Sequence, residues 1–532
     1  MANVTKYTAI TFAPVQGFIE KSRKLRDLYG ASLILSYLSQ QLVEEAQKTT
    51  TVISPARANL QKGMPNRILI KGEFSKSQAE KTLLSAWKGM LHECRTWIEK
   101  KLDNYTYHWE REWTNWGNHT WEIFWGEGDS IQAAMDDLET RKLSRGWTAL
   151  NWIGESSSLT GTDAIAFPGL GGKARNPKFA TYYSEDKEIK EFYTALATIT
   201  GKPEEETPEG KFIAPNEKLS IPELVKRLVT WDEIREKLDI EPLDKGFREI
   251  QRKPQPTKNL PGQWTGWFMG DGDQVGEHLK KLASENNGDE KIQNFSYSMR
   301  DWGKEFADKF NLREKLGRVV YAGGDDFSGI IYSKNPAEPI QPFKAFEWLM
   351  TLKEKWKEHK HKQPLTVSVG FVWVAGSVPQ RDVLQHCREA EKVAKSLGRD
   401  RVTIRIVFNS GQYVQWTCPW DYLHVLKTYR DRDGKTFAEW ECKGRKQEDF
   451  PNWTHVYSDL AQLKARYAIN LKNKQKNVDE RIALQLFNIY FIQQKEHLEN
   501  EQEKIVGKSD NLELMKWIDG LINVGWHLCS NI

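Results

Sequence analysis

Two adjacent carboxylates, Asp325 and Asp326, sit in the segment YAGGDDFSGIIY (321–332). The flanking residues read as two short strands, and GGDD is the turn between them. Gly323 and Gly324 allow backbone angles that a side chain would strain. Neighbouring carboxylates repel each other, and a divalent cation with oxygen ligands relieves that repulsion. A solvated Asp-Asp turn has the same sequence, so the hairpin alone leaves both readings open. A second acidic group lies in FMGDGDQVG (268–276), where Asp271, Gly272 and Asp273 come directly after a strand. A third group, AKSLGRDRV (394–402), is basic. Lys395 stands one turn before a helix end, with Arg399 and Arg401 beyond it. Such cations can meet a triphosphate; they can equally cap a helix C-terminus.

These groups need elements that bring them together. The pattern from residue 260 onward predicts a strand at Thr265–Met269 and helices from Gly276 to about Leu282 and from Asp289 to Phe310. Strands come next at Arg318–Ala322 and Phe327–Tyr332, then a helix at Phe343–His359 and a strand at Leu365–Val374. A helix at Gln380–Leu397 and a strand at Val402–Val407 complete the run. A βαββαβ order makes a ferredoxin-like sheet with helices on one face. In that sheet the first and third strands are neighbours, so Asp271 and Asp273 arrive beside Asp325 and Asp326. Three or four converging carboxylates suit two hard cations, here Mg²⁺ or Mn²⁺. Nearby glycines, Gly272, Gly323 and Gly324, let a phosphate approach the backbone.

The same order opens the chain. Strands are expected at Thr8–Phe12, Thr51–Ser54, Arg67–Lys71 and Trp121–Trp125, with helices over Gly17–Glu45 and Ser75–Lys101. The hairpin position of this first copy, PARANLQKGMPN (55–66), carries no carboxylate and cannot hold metal. The fold class is therefore α+β, with two ferredoxin-like βαββαβ domains plus helical inter-domain and C-terminal parts. The expected division is 1–150, 151–258, 259–412 and 413–532. Leu219–Leu238 reads as a helix in the second part. Beyond Gly411 the chain reads as mostly helical, most clearly over Leu460–Ile469 and Val478–Leu498.

Composition narrows the class. The chain has 532 residues, with 77 basic and 73 acidic side chains, so any nucleic-acid surface must be local. The stretch KARYAINLKNKQK, Lys464–Lys476, concentrates positive charge in the C-terminal helical region; it is either a solvated helix face or a contact for RNA or a partner subunit. Five scattered cysteines and no CxxC argue against a disulfide scaffold and a thiolate zinc site. No run of about 18 apolar residues suits a membrane span. The opening residues lack a signal-peptide core, and a reducing cytoplasm is expected. Tryptophans gather between Trp109 and Trp125, where packing is the expected role.

GGDD, the DGD after the first strand and AKSLGRDRV together resemble the polymerase/cyclase domain of the large subunit of type III CRISPR effector complexes. Diguanylate cyclases share part of that pattern. ITFAPVQGFIEKSRKLRDLYGAS (10–32) and GMPNRILI (63–70) look like markers of the first palm domain in the Cmr, or type III-B, branch. The resemblance spans residues 8 to about 408 and is weaker over the C-terminal helices. It implies synthesis of cyclic oligoadenylate from ATP when the complex binds target RNA. Asp271 and Asp325 would bridge two metals, Asp326 and Asp273 would complete or support the shell, and Lys395 and Arg399 would meet nucleotide. Other Cmr-type subunits, the CRISPR guide RNA and target RNA are the implied partners; no membrane is involved. Two departures stand out. The chain contains no His-Asp dipeptide, so the DNA cleavage of the family's HD nuclease domain is expected to be absent. GESSSLTGTDAI (154–165) sits where the family often has a cysteine-bearing zinc segment but has Ser156, Ser157 and Ser158 instead; no structural zinc is expected there. A catalytically silent scaffold subunit and a stand-alone diguanylate-type cyclase are the competing readings.

Overall fold

The computed structural model describes residues 5–22, 24–56, 63, 65–144, 155–172, 182–201, 212–240, 250, 252–256, 259–260, 262–359, 363–428, 453–466, 469, 476–491, 495–507 and 511–529. Two compact units emerge. One comprises Met1–Glu249, Gly276–Lys304 and Tyr321–Gly324; the other comprises Ile250–Val275, Glu305–Val320 and Asp325–Ile532.

The first unit is built on strands β1 (Tyr7–Ala13), β2 (Thr51–Ser54), β3 (Ile68–Lys71) and β4 (Glu122–Gly128). Their order is β2-β3-β1-β4, the ferredoxin-like arrangement that the sequence pattern predicts. β1 is antiparallel to both neighbours, with Thr8 opposite Ile70 and Ile10 opposite Trp125. One face of the sheet (Ile10, Phe12, Ile68, Ile70 and Ile123) belongs to the unit's large core, as do the helices Leu25–Gln47 and Lys76–Lys101. Trp109, Trp113 and Trp121 are buried in that core, so these tryptophans pack rather than present a stacking surface.

Two expectations need correction here. Helices were expected on one face, yet the opposite face (Ala9, Ile53, Leu69 and Phe124) is also covered. The helix Ile131–Leu143, which the sequence pattern did not reveal, supplies Ile131, Ala134 and Leu138, and Ile292 joins them. The cause is in β1 and β3: apolar residues fill consecutive positions, so both faces need burial. The expected helix Gly17–Glu45 is interrupted. A short helix, Gln16–Glu20, ends before Leu25–Gln47 begins, and the Lys24 N–H donates to Asp27 Oδ2 at 3.0 Å as the new helix starts.

The inter-domain expectation of one helix, Leu219–Leu238, resolves into Ile221–Leu228 and Asp232–Lys237. The first of these is wholly buried. Its Arg227 donates to Asp27 Oδ1 at 2.9 Å, Glu217 Oε2 at 2.6 Å and the Phe212 carbonyl at 3.2 Å. A buried guanidinium with two carboxylates and a carbonyl is compensated, which an isolated one is not. Gly30 lets this helix approach: a Cβ there would stand 1.7 Å from the Lys226 carbonyl oxygen.

The second unit carries β5 (Thr265–Gly272), β6 (Gly317–Ala322, its last two residues grouped with the first unit), β7 (Asp326–Ile331), β8 (Val367–Val374), β9 (Arg401–Val407) and β10 (Tyr413–Pro419). The order is β10-β9-β8-β5-β7-β6. Its β8-β5-β7-β6 part repeats the ferredoxin-like order. β9 runs parallel to β8, and β10 pairs antiparallel with β9. The strand β10 corrects the mostly helical reading after Gly411: Trp416 and Cys418 alternate inward from it. The C-terminal helices fall at Trp453–Ala465, Lys476–Tyr490 and Asn511–Cys529, with shorter ones at Lys495–Asn500 and Gln502–Val506. Trp517 Nε1 donates to the Thr417 carbonyl at 2.8 Å and ties the last long helix to β10. No helix among the described residues is long and apolar enough to cross a membrane.

Candidate active site at the ends of β5 and β7

β5 is the central strand, and its register settles where the acidic residues meet. Phe268 lies opposite Gly329, Gly270 opposite Phe327, and Asp271 opposite Asp326. The first two pairs interlock. A Cβ on Gly270 would stand 2.3 Å from the Phe327 ring, and one on Gly329 would stand 2.2 Å from the Phe268 ring. Each ring therefore lies over the glycine facing it. Both rings join an aromatic cluster: Phe268 is 4.6 Å from Trp348 and 5.5 Å from Phe310 between centroids, and Phe327 is 5.4 Å from Phe306. This rigid floor carries the Asp271–Asp326 pair one residue further along the strands.

The turn supplies Asp325. Its carbonyl accepts the Gly272 N–H at 2.9 Å, which closes the turn against the end of β5. Gly272 is thus engaged by the protein backbone, and a Cβ there would stand 3.0–3.2 Å from Val275, Trp356 and Asp325. Gly324 has φ +148°, and a Cβ there would meet nothing within 4 Å. Backbone conformation, not space, calls for glycine at that position.

Lys395, on the helix Gln380–Ser396, makes ion pairs with Asp271 Oδ2 and with Glu391 Oε1 one turn earlier. That helix sits close on the sheet: a Cβ on Gly370 of β8 would stand 2.5 Å from the Cys387 carbonyl oxygen and from the Glu391 nitrogen. Asp271, Asp325, Asp326 and Lys395 therefore gather in one place. Asp273 stands next to them and is engaged differently. It is buried, and its Oδ2 accepts from the Thr366 hydroxyl at 2.8 Å and the Asp400 N–H at 3.0 Å. Its Oδ1 accepts from the Ser368 hydroxyl at 2.7 Å. These three bonds fit the supporting role more than the ligand role. Arg399 is exposed at φ +63° in the loop before β9. The buried Arg401 turns its guanidinium to the Lys504 and Ile505 carbonyls and so binds the C-terminal part.

The electrostatics show a shortage of positive charge. Loss of solvent and the Asp271 charge push Asp325 up to about 6. Asp326 is exposed at the start of β7, and partial loss of hydration, then Asp325 and Asp271, raise its carboxyl above the ordinary range. Burial also raises Asp271, against the pull of Lys395. Burial alone would lower Lys395, and Asp271 and Glu391 outweigh it and lift its ammonium. Three raised carboxylates face one cation, so positive charge is short at this end of the sheet. Among the described residues no group of three or more His, Cys, Asp or Glu side chains is drawn together as a metal cage. Mg²⁺ does not need one, because it keeps waters and takes substrate phosphate oxygens beside one or two carboxylates.

Glu391, Thr366 and Ser368 were not anticipated, and neither was Arg300, whose Nη1 donates to the carbonyls of Gly63 and Gly323. In sequence each is an ordinary polar residue on a helix or strand; only the Glu391-to-Lys395 spacing of four offered a signal. The serine segment is held by hydroxyl–carboxylate bonds: Ser157 Oγ and Thr160 Oγ1 donate to Glu223 Oε1 at 3.1 and 2.9 Å. Lys472 and Lys474 of the basic stretch lie outside the described residues, as does the side chain of Lys476.

A ferredoxin-like sheet with carboxylates at the ends of its first and third strands is the layout of a nucleotidyl-cyclase palm, and here the sheet order occurs twice. Residues 265–403 match the family model of the Cas10/Cmr2 second palm domain, and residues 7–61 match that of the CRISPR-associated protein Cmr2 N-terminal region. The likeness to the Cas10/Cmr2 large subunit of type III CRISPR complexes is thus found in two separate parts of the chain. No individually curated protein matches. Among solved structures, the chain is similar to one in the type III-B Cmr-beta cryo-EM structure of the apo state: TM-score 0.55, 10% identity, 98% of this chain and 82% of that one. It is also similar to the crystal structure of the Csm1–Csm4 cassette in complex with cA4, with TM-score 0.47, 15% identity and coverage of 99% and 70%. The same cassette with AMPPNP gives 0.48, 13%, 99% and 70%.

Proposed function

We propose that this chain is the nucleotide-condensing large subunit of a type III-B CRISPR effector complex, making cyclic oligoadenylate from ATP when target RNA is bound. The observation that carries the reading is the cross-strand pairing of Asp271 with Asp326, with Asp325 beside them and Lys395 on Asp271. The matches at 7–61 and 265–403 support a palm pair within an effector complex over a stand-alone diguanylate-type cyclase. Other Cmr-type subunits, guide RNA and target RNA are the partners this reading requires. The division into palm domains at 1–150 and 259–412, an inter-palm part at 151–258 and a helical end at 413–532 belongs to the same proposal.

Asp271, Asp325 and Asp326 are the residues that would hold Mg²⁺ or Mn²⁺. A divalent cation there would neutralise phosphate oxygens and ease loss of the ribose 3′-hydroxyl proton. Lys395 is within reach of the same carboxylates and can exchange its bond with Asp271 for one with the triphosphate of ATP. The 3′-oxygen of one nucleotide then attacks the α-phosphate of a second, and pyrophosphate leaves. Gly323 and Gly324 keep side chains away from the phosphates, Gly272 serves by closing the turn against the end of β5, and Asp273 fixes the loop that carries Arg399 there.

The test is the reconstituted complex with guide RNA, target RNA, ATP and Mg²⁺ or Mn²⁺, with products read by mass spectrometry. Cyclic oligoadenylate should form only with target RNA and should vanish in excess EDTA. Asp325→Ala with Asp326→Ala should abolish the product and leave RNA binding near normal. Product formation that survives EDTA or the double variant refutes the assignment. Joint loss of RNA binding and product makes the hairpin structural.

A further inference from the structure

We infer that Arg300 is a positioning residue that clasps the GGDD turn to the connection between β2 and β3; the inference rests on the cyclase reading of the turn. Arg300 lies on the helix Gly288–Asp308 and is 7% exposed. Its Nη1 carries two N–H groups and donates to two carbonyl oxygens, those of Gly63 and Gly323. One carbonyl precedes β3, and the other belongs to the turn, two residues before Asp325. A cation buried on backbone carbonyls makes charge-assisted bonds, and losing them leaves two oriented acceptors without that donor.

A second observation places the same two backbones together. Gly63 has φ +89°, and a Cβ there would stand 3.1 Å from the Gly323 Cα. Only glycine serves both needs, the left-handed conformation and the close approach. Two glycines in contact, with one guanidinium across both carbonyls, fix the Gly323 peptide plane. That plane sets the course of the chain into Gly324 and Asp325. The β2–β3 connection has no carboxylate of its own, and the clasp gives it a role in the chemistry: it holds the turn in the conformation from which Asp325 and Asp326 face Asp271. Gly63, Arg300 and Gly323 then act as one assembly.

The experiment uses the whole effector complex with guide and target RNA, and three variants: Arg300→Met, Arg300→Lys and Gly63→Ala. Methionine fills much of the arginine volume without a donor, lysine retains a donor, and Gly63→Ala disturbs the contact from the other side. Hydrogen–deuterium exchange should rise together in peptides covering 63–70 and 321–327 for Arg300→Met and Gly63→Ala, and less for Arg300→Lys. The kcat for ATP consumption should fall about a hundredfold in the first two, as a misplacement of about 1 Å can produce, with KM for ATP changed less than about threefold. Arg300→Lys should recover part of kcat. Unchanged exchange in either peptide overturns the clasp. Raised exchange with unchanged kcat, or a loss confined to KM, overturns the positioning role. A wild-type complex that makes no product refutes the cyclase reading and the positioning role with it, while the exchange measurement still decides whether the clasp exists.

Discussion

Gly270→Ala adds one methyl group at the most crowded point of the β5–β7 pair. The added Cβ would stand 2.3 Å from one Phe327 ring atom and 2.8 Å from two more. Carbon atoms in contact prefer about 3.5–4.0 Å, so the ring must retreat by more than about 1 Å. It has nowhere easy to go. Phe327 is 0% exposed and bounded by Phe306 at 5.4 Å, Trp356 at 6.0 Å and Phe268 at 6.3 Å between centroids. Gly270 itself is at ordinary strand angles, so the cost is overpacking alone, about 1–3 kcal/mol and here toward the upper end. For a unit of this size that corresponds to a fall of about 5–10 °C in melting temperature. Asp326 precedes the displaced ring and Asp271 comes after the substituted residue, so nucleotide production should fall as well. Differential scanning calorimetry of the single variant, of Phe327→Leu and of the double variant would give the coupling. The double variant should recover at least half of the loss caused by Gly270→Ala, because leucine vacates the contested space. A melting temperature within about 1 °C of wild type for Gly270→Ala, or strictly additive losses, would refute the interlocking pair.

The buried charges give two further outcomes. The Asp325 carboxyl is raised to about 6, above its unfolded value, so its ionisation penalises the fold at pH above about 6, and the penalty disappears as pH falls toward about 4. Asp325→Asn should accordingly stabilise by about 1–3 kcal/mol at pH 8 and by little at pH 4, in urea titrations without divalent metal; equal effects at both pH values would contradict the electrostatic account. Glu217 is desolvated, but Arg227 and Lys24 outweigh that and hold it down at about 2. Its contribution is fully present above 4.5 and is lost as pH falls through about 2. Glu217→Gln should therefore cost about 3–5 kcal/mol at pH 7, with the gap to wild type closing as pH drops below about 4.5; a pH-independent gap would show that packing, not charge, is what was lost.

Much of the architecture was legible because the strands announce themselves. Thr265–Met269 and Phe327–Tyr332 are apolar runs bounded by glycine and aspartate, and the repeated βαββαβ order predicted the strand sequence that the sheet adopts. β10 was missed: Val414, Trp416 and Cys418 alternate along it, but the helical character of the residues beyond Pro419 masked this short strand. The helix Ile131–Leu143 was missed because its apolar stripe is thin and acidic residues interrupt it. At the site, sequence placed Asp271 and Asp326 near each other, since neighbouring strands must bring their ends together. It could not say which way Asp273 turns. That depends on Thr366 and Ser368 nearly a hundred residues later, whose hydroxyls give no sequence signal. Arg300 and Glu391 were illegible for a related reason. A charged residue on an amphipathic helix reads as solvated until tertiary structure shows what lies over it.

The chain passes between the two compact units at five points: after Glu249, Val275, Lys304, Val320 and Gly324. Modularity in the genetic sense is therefore lost. A fragment ending at Glu249 would lack Ile292, which helps cover Ala9, Ile53 and Leu69. A fragment starting at Ile250 would carry Leu279, Leu282 and Ile292 without Ala9, Ile53 and Leu69, the residues of their cluster. Chimeras that exchange one half of this chain for that of a homologue would split the segments of each unit between two parents. Recombination within the gene should be tolerated only where whole sets of segments travel together, and laboratory dissection into two expressible halves should yield insoluble pieces unless the halves are co-expressed.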